Sequence, residues 1–383
     1  MDRDALDTWI RTGDLDELLR EIDRACSRRD WADVAVIRDR ARAANETGHQ
    51  LWPAASFAEY RLALDGSDEW AARVVDEGGG YLAPGPLSEV AAQRHTWAAL
   101  APMLPPGPAR DLFRQERVVR GEPGGDATTT DGVDPAADID ANSDDDVDAE
   151  LAARDAAGLP TSLAAWEGPY AVANYRADGA AFPRPELPTP NRSIDAAARA
   201  DCGDGIDGTH ALLDCVRHWA SHSTGIVRAV CVEGTADDAV ATVLANAPTP
   251  DTDTGGSSGS GGSDGDVNGL EPASPPRPPP RSPLIAPVDA GSALALLAWA
   301  AASGGAQGRR RGMATGRFEA WWCAAVLAGV DDDWPIDIGP AIAELDWFVW
   351  SDGTPSIGWE CRLAVADVDD GLAWALDATD RTP

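Results

Sequence analysis

Residues 359–380 read WECRLAVADVDDGLAWALDATD. Gly358 to Val365 predicts a strand, the acids Asp367, Asp369 and Asp370 before Gly371 an acidic turn, and the rest a helix. The same order stands earlier in the chain. Gly225 to Glu233 (GIVRAVCVE) predicts a strand, and Thr235 with Asp238 forms a capping-box signature for a helix to about Asn246. RAVCV from Arg228 matches RLAVA from Arg362, and DDAVA from Asp237 matches DDGLA from Asp369, with a two-residue gap. That agreement suggests an internal duplication. Asp346 to Trp350 and Gly358 to Val365, joined through SDGTPS, predict a β-hairpin. Helices are predicted over Thr209 to Ser221, over the apolar run Ala293 to Ala302, and over Phe318 to Ala328. The second half therefore reads as α+β, a small sheet flanked by helices.

The first half has a different rhythm. Leu15, Leu18, Leu19, Ile22 and Cys26 form one helical stripe behind an Asp14/Glu17 cap, and Trp31, Val34, Ile37, Ala41 and Ala44 form a second. Phe57, Tyr60 and Leu64 mark a third helix, and Ser67 caps a fourth. Short polar turns between them predict antiparallel helical hairpins, solenoid-like in arrangement. Two stretches cannot bury enough to order themselves and read as disordered linkers. Residues 122–150 hold eleven acids and no Arg; residues 251–283 are Gly/Ser-rich and then Pro-rich. The expected division is a helical domain 1–121, the acidic linker 122–150, a first part of the α+β domain 151–250, the second linker 251–283, and a second part 284–383.

Composition narrows the function classes. The chain of 383 residues carries 64 acids against 31 bases, a net charge of −33, and every base is Arg. Phosphate-backbone binding needs a basic footprint, so non-specific nucleic-acid binding is not expected, nor attachment to an anionic membrane. The longest apolar run has ten residues where a span needs about twenty. MDRDALDTW has no basic start or apolar stretch, and the six scattered Cys suggest reduced thiols. A cytoplasmic protein is expected.

The strings LWPAASFAEYRLAL (51–64), TWAALAPMLPPGPARDL (96–112) with ERVVRGE (116–122), GRRRGMATGRFEAWW (308–322) and GLAWALDATD (371–380) resemble an uncharacterised actinobacterial family, domain of unknown function 6183. The resemblance covers most of the chain outside the two linkers. It implies no activity, ligand or catalytic residue.

Two clusters could hold chemistry. In the loop 304–317, Arg309, Arg310, Arg311 and Arg317 stand among five glycines just before a helix. Guanidinium forks and converging backbone N–H groups suit phosphate or carboxylate. No GK[ST] follows, so it is not a Walker A loop. Trp321, and other Trp of the C-terminal part, could wall such a pocket, with Trp347 and Trp350 on opposite faces of a strand and one face exposed. The competing reading is an exposed loop whose arginines neutralise nearby acids. The second cluster, Cys215, His218 and His222, falls on one helical face at spacing that could ligate zinc; equally, Cys215 packs in a core with the imidazoles at its rim. The acidic linker offers oxygen ligands from Asp138 to Asp146, but Ser143 stands where a calcium loop needs Gly and Ala149 where it needs Glu.

These features lead to a non-catalytic interaction or small-anion-binding protein, needing no cofactor, with an unknown protein or small anionic ligand as partner. The alternative is an enzyme or sensor for a phosphorylated or carboxylated small molecule, using the loop arginines and Glu319 as the nearest base. A third reading makes the acidic tract a mimic of nucleic acid.

Overall fold

The computed structural model describes residues 1–123, 158–195, 200–246, 282–331, 337–355 and 358–381. Of the two stretches expected to be linkers, only Glu122, Pro123, Ser282 and Pro283 fall among them, so the calcium and mimicry readings lie outside the described residues.

The helical part begins with α1 (Arg3–Thr12), α2 (Leu15–Arg28) and α3 (Trp31–Glu46), each opened by an aspartate whose carboxylate accepts first-turn N–H groups: Asp2, Asp14 and Asp30. The predicted stripes are the buried ones, with Leu18, Ile22 and Cys26 on α2 and Val34, Ile37, Ala41 and Ala44 on α3. α4 (Trp52–Asp65) is buried along most of its length because α2, α3, α6 (Leu87–Ala92) and α5 (Asp68–Asp76) pack round it. α7 (Trp97–Leu100) and α8 (Pro108–Val118) complete the layer. Glu122 accepts from the Trp97 N–H and from Arg117, so the helical part extends one residue into the acidic stretch.

A hairpin, β1 (Asn174–Arg176) with β2 (Gly179–Ala181), joins this helical core although it follows the acidic stretch. Tyr175 is fully buried in that core; Tyr60 Oη donates to the Arg176 carbonyl at 2.5 Å, and Gln93 donates to the Tyr175 carbonyl at 2.7 Å.

The α+β part is built on one antiparallel sheet of β3 (Arg192–Ser193), β4 (Ile226–Glu233), β5 (Leu284–Val288), β6 (Asp346–Ser351), β7 (Trp359–Asp367) and β8 (Leu372–Asp380), in the order β3-β5-β6-β7-β8-β4. α9 (Ile206–Ser221), α11 (Ala290–Ser303) and α12 (Met313–Leu327) cover one face; α10 (Ala236–Ala245) covers the other. The short α13 (Gly339–Ile342) leads into β6.

Three expectations are corrected here. Residues 372–380 form a strand, not a helix. They read as helical because both faces of β8 are covered, which removes the polar alternation: Trp374, Leu376 and Ala378 face one core, Ala373 and Ala375 the other. The turn is decided locally, since Asp367 accepts from the N–H groups of Asp369 and Asp370 and Gly371 takes φ +66°. The duplication falls with the helix, because Asp237-Asp238 opens α10, with both capping-box bonds formed, while Asp369-Asp370 turns a hairpin. Trp347 and Trp350 do face opposite sides, but both are buried, so that strand carries no exposed aromatic face. The aligned arginines meet instead at one acid. Arg228 on β4 and Arg362 on β7 both donate to Asp377 on β8 between them.

Candidate functional site

The loop 304–317 is shaped by its glycines. Gly304, Gly305 and Gly312 take positive φ, which lets the chain leave α11 and enter α12 within nine residues. Its four arginines then fan apart. Arg310 donates from Nε and Nη2 to both Glu89 oxygens at 2.8 and 2.6 Å, with Tyr175 Oη donating to the same carboxylate at 2.6 Å and the Phe182 ring 4.8 Å from the guanidinium. Arg317, wholly buried, forks onto Glu167 at 2.8 and 2.7 Å and donates to Gln115 and the Pro160 carbonyl. Trp321 is no pocket wall: it packs on Trp166 and donates to Glu167 at 3.1 Å. Arg311 pairs with Glu319 at 2.5 Å, and Arg309 lies over Tyr81. Glu89 and Glu167 belong to distant segments and Glu319 to α12 itself; Arg310 and Arg317 are buried, Arg311 is half-buried and Arg309 is exposed.

Residues of the helical layer, Glu89, Gln115 and Glu116, thus meet the start of α12 in a dry joint. Burial pushes Glu89 up, but the charge and hydrogen bonds of Arg310 outweigh it and hold the carboxyl below its ordinary value. Glu116 has no such fork. One oxygen accepts from the Ala314 N–H at 2.8 Å, and the other has no partner among the described residues. Burial and the neighbouring Glu89 charge push its carboxyl up to about 8.

The second cluster is drawn apart by depth. Cys215 is buried, donates weakly to the Glu319 carbonyl, and its thiol is pushed far up by its hydrogen bond with Cys323 and by burial. His218 and His222 stack with their Nδ1 atoms 3.0 Å apart. Burial and Arg311 push the His218 imidazole down to about 3. Among the described residues no group of three or more His, Cys, Asp or Glu is placed to hold a metal ion.

Sequence reasoning missed two clefts on the helical part. One, of about 550 Å³, is lined by Arg29, Trp31, Arg61, Asp65, Ser67 and Arg94. The other, of about 380 Å³, is lined by Leu19, Pro53, Phe57, Tyr60, Leu82 and Ala83. Arg29, Arg61 and Arg94 are far apart in the chain, each an ordinary helix-surface arginine by local pattern. The single local signal was Arg29 at a helix end where Gly is usual.

Residues 16–254 and 269–382 match the family of unknown function DUF6183. The chain belongs to that family. No curated protein and no solved structure matches it. The DUF6183 match includes every residue of the joint and all three cleft arginines, and it assigns none of them a role. No helix among the described residues is long and apolar enough to cross a membrane.

Proposed function

We propose that this DUF6183 chain is a non-catalytic small-anion-binding protein whose ligand surface is the helical part, with the α+β part as its platform. The supporting observation is the redistribution of arginine. Arg310 and Arg317 of the loop are shut off from water against buried carboxylates, whereas Arg61 and the half-exposed Arg94, which share Asp65, line an open cleft with Arg29, which has no acidic partner among the described residues. The enzyme reading through the loop draws no support from its surroundings: the Cys215 thiol is held protonated and the His218 imidazole neutral and paired. A cytoplasmic location fits six unpaired cysteines, five of them buried.

Thermal-shift screening against phosphate esters, carboxylates and nucleotides tests the reading, followed by hydrogen exchange with any stabilising compound. Protection within residues 15–100 and recovery of the compound unchanged are expected. Chemical conversion of the compound, or protection centred on 304–322, would overturn it.

A further inference from the structure

The cleft of about 550 Å³ lies where the end of α2, α4, the start of α5 and the turn after α6 meet. Its volume is in the range of small-molecule sites. Its charge runs against a chain of net −33. Arginines of three different elements line it, while Asp65 is the carboxylate of the lining and Asp23 pairs with Arg61. The Cys26 thiol, pushed up to about 11 by burial, adds no negative charge at neutral pH.

The three arginines are held differently. Arg61 is fixed, donating to Asp65 at 3.0 Å and to Asp23 at 2.5 Å with its side chain 10% exposed. Arg94 reaches the other Asp65 oxygen at 3.0 Å and stays half exposed. Arg29 has no acidic partner among the described residues. It is also the one non-glycine residue among them with a left-handed backbone, φ 57°. Glycine would hold that helix end with less strain, so an arginine there keeps a cation at the cleft against a backbone preference.

The directions of approach select the ligand. A carboxylate offers two oxygens in one plane and suits a single fork; a phosphate monoester offers three oxygens in three directions and up to two negative charges. Arginines arriving from three elements match the second shape. Trp31, half-buried in the lining, gives an apolar wall for the rest of the molecule. Ser67 in the lining offers a hydroxyl that can donate.

We propose that this cleft binds the phosphate of a small phosphate monoester, with Arg61 as the fixed contact and Arg29 and Arg94 completing it. The proposal rests on the small-anion reading above and names its site and ligand.

Isothermal titration of the full chain with inorganic phosphate, ribose 5-phosphate, adenosine monophosphate and malonate tests it. The esters bind, more tightly than inorganic phosphate, and affinity rises from pH 5.5 to 7.5 as the second phosphate proton leaves near pH ~6. Arg29→Gly suits the left-handed backbone and Arg94→Gln is half exposed, so both variants fold; each weakens ester binding about tenfold or more, the loss of one charged contact. Unchanged affinity in both variants would end the proposal. Equal affinity for inorganic phosphate and the esters would overturn the ester assignment. Binding of malonate alone would overturn the phosphate assignment and leave the small-anion reading standing, whereas silence toward every anion would end both.

Discussion

Arg310 and Glu89 lie 221 residues apart in the chain and meet as a two-point ion pair shut off from water, Nε to Oε2 at 2.8 Å and Nη2 to Oε1 at 2.6 Å. One belongs to the loop before α12 and the other to α6, so the pair ties the helical layer to the α+β part.

Arg310→Met leaves the Glu89 charge buried with Tyr175 as its remaining hydrogen-bond donor among the described residues. Breaking such a pair costs about 3–5 kcal/mol, while replacing both members by apolar groups of similar volume is often near neutral. The urea midpoint of Arg310→Met should fall sharply, and Glu89→Leu/Arg310→Met should recover most of it. A single variant as stable as the wild type would mean that the pair does not hold the joint.

Glu116 sets a pH dependence. Its folded value, about 8, lies above the ordinary 4.5, so the native state keeps a proton that the unfolded chain releases. Its contribution to stability is complete below about pH 4.5 and is lost as pH rises to about 8. Glu116→Gln keeps the acceptor for the Ala314 N–H without ionising. Urea denaturation from pH 5 to 8.5 should show the wild type losing stability relative to this variant; parallel curves would contradict it.

His218 acts with the opposite sign. Its folded value of about 3 lies below the ordinary 6.5, so stability is present above pH 6.5 and falls as pH drops toward 3. Burial, Arg311, Arg217 and His222 all oppose the proton. Ring-carbon NMR shifts of His218 should stay constant from pH 7.5 to 5, and a titration midpoint inside that range would refute the assignment.

Gly316 marks the crossing of α11 and α12. A Cβ there would stand 2.1 Å from the Ala298 carbonyl oxygen and 2.9 Å from the Ala302 Cβ. The obstacle is backbone, which cannot swing away, so Gly316→Ala should destabilise despite the better helix propensity of alanine. About 1–3 kcal/mol is expected from such overpacking, read from the thermal midpoint by calorimetry.

Where one side of an element faced water, its identity was legible in the residues. The stripes of α2 and α3, the Asp14 cap, the Thr235/Asp238 capping box and the β6–β7 hairpin all appear where periodicity and turn chemistry place them, while Ser67 stands at the start of α5 without a side-chain cap bond. β8 was not, because burial on both faces erases the period, and Ala, Leu and Trp then read as readily for helix as for strand. The DDG turn was the available clue. α12 begins at Met313 rather than Phe318, since its first turn is capped from a distant helix by Glu116 rather than by its own neighbours.

By itself, the order of residues determined the helical first half, the α+β second half, and the two stretches set apart by composition. It also marked the loop 304–317 as unusual. Only the tertiary structure decided what those arginines do, because a guanidinium takes its role from the carboxylate it meets. Glu89 and Glu167 lie more than a hundred residues from Arg310 and Arg317, and nothing in the loop names them. The same holds in reverse for Arg29, Arg61 and Arg94: three commonplace positions become one cationic cleft when α2, α4 and the turn after α6 pack together.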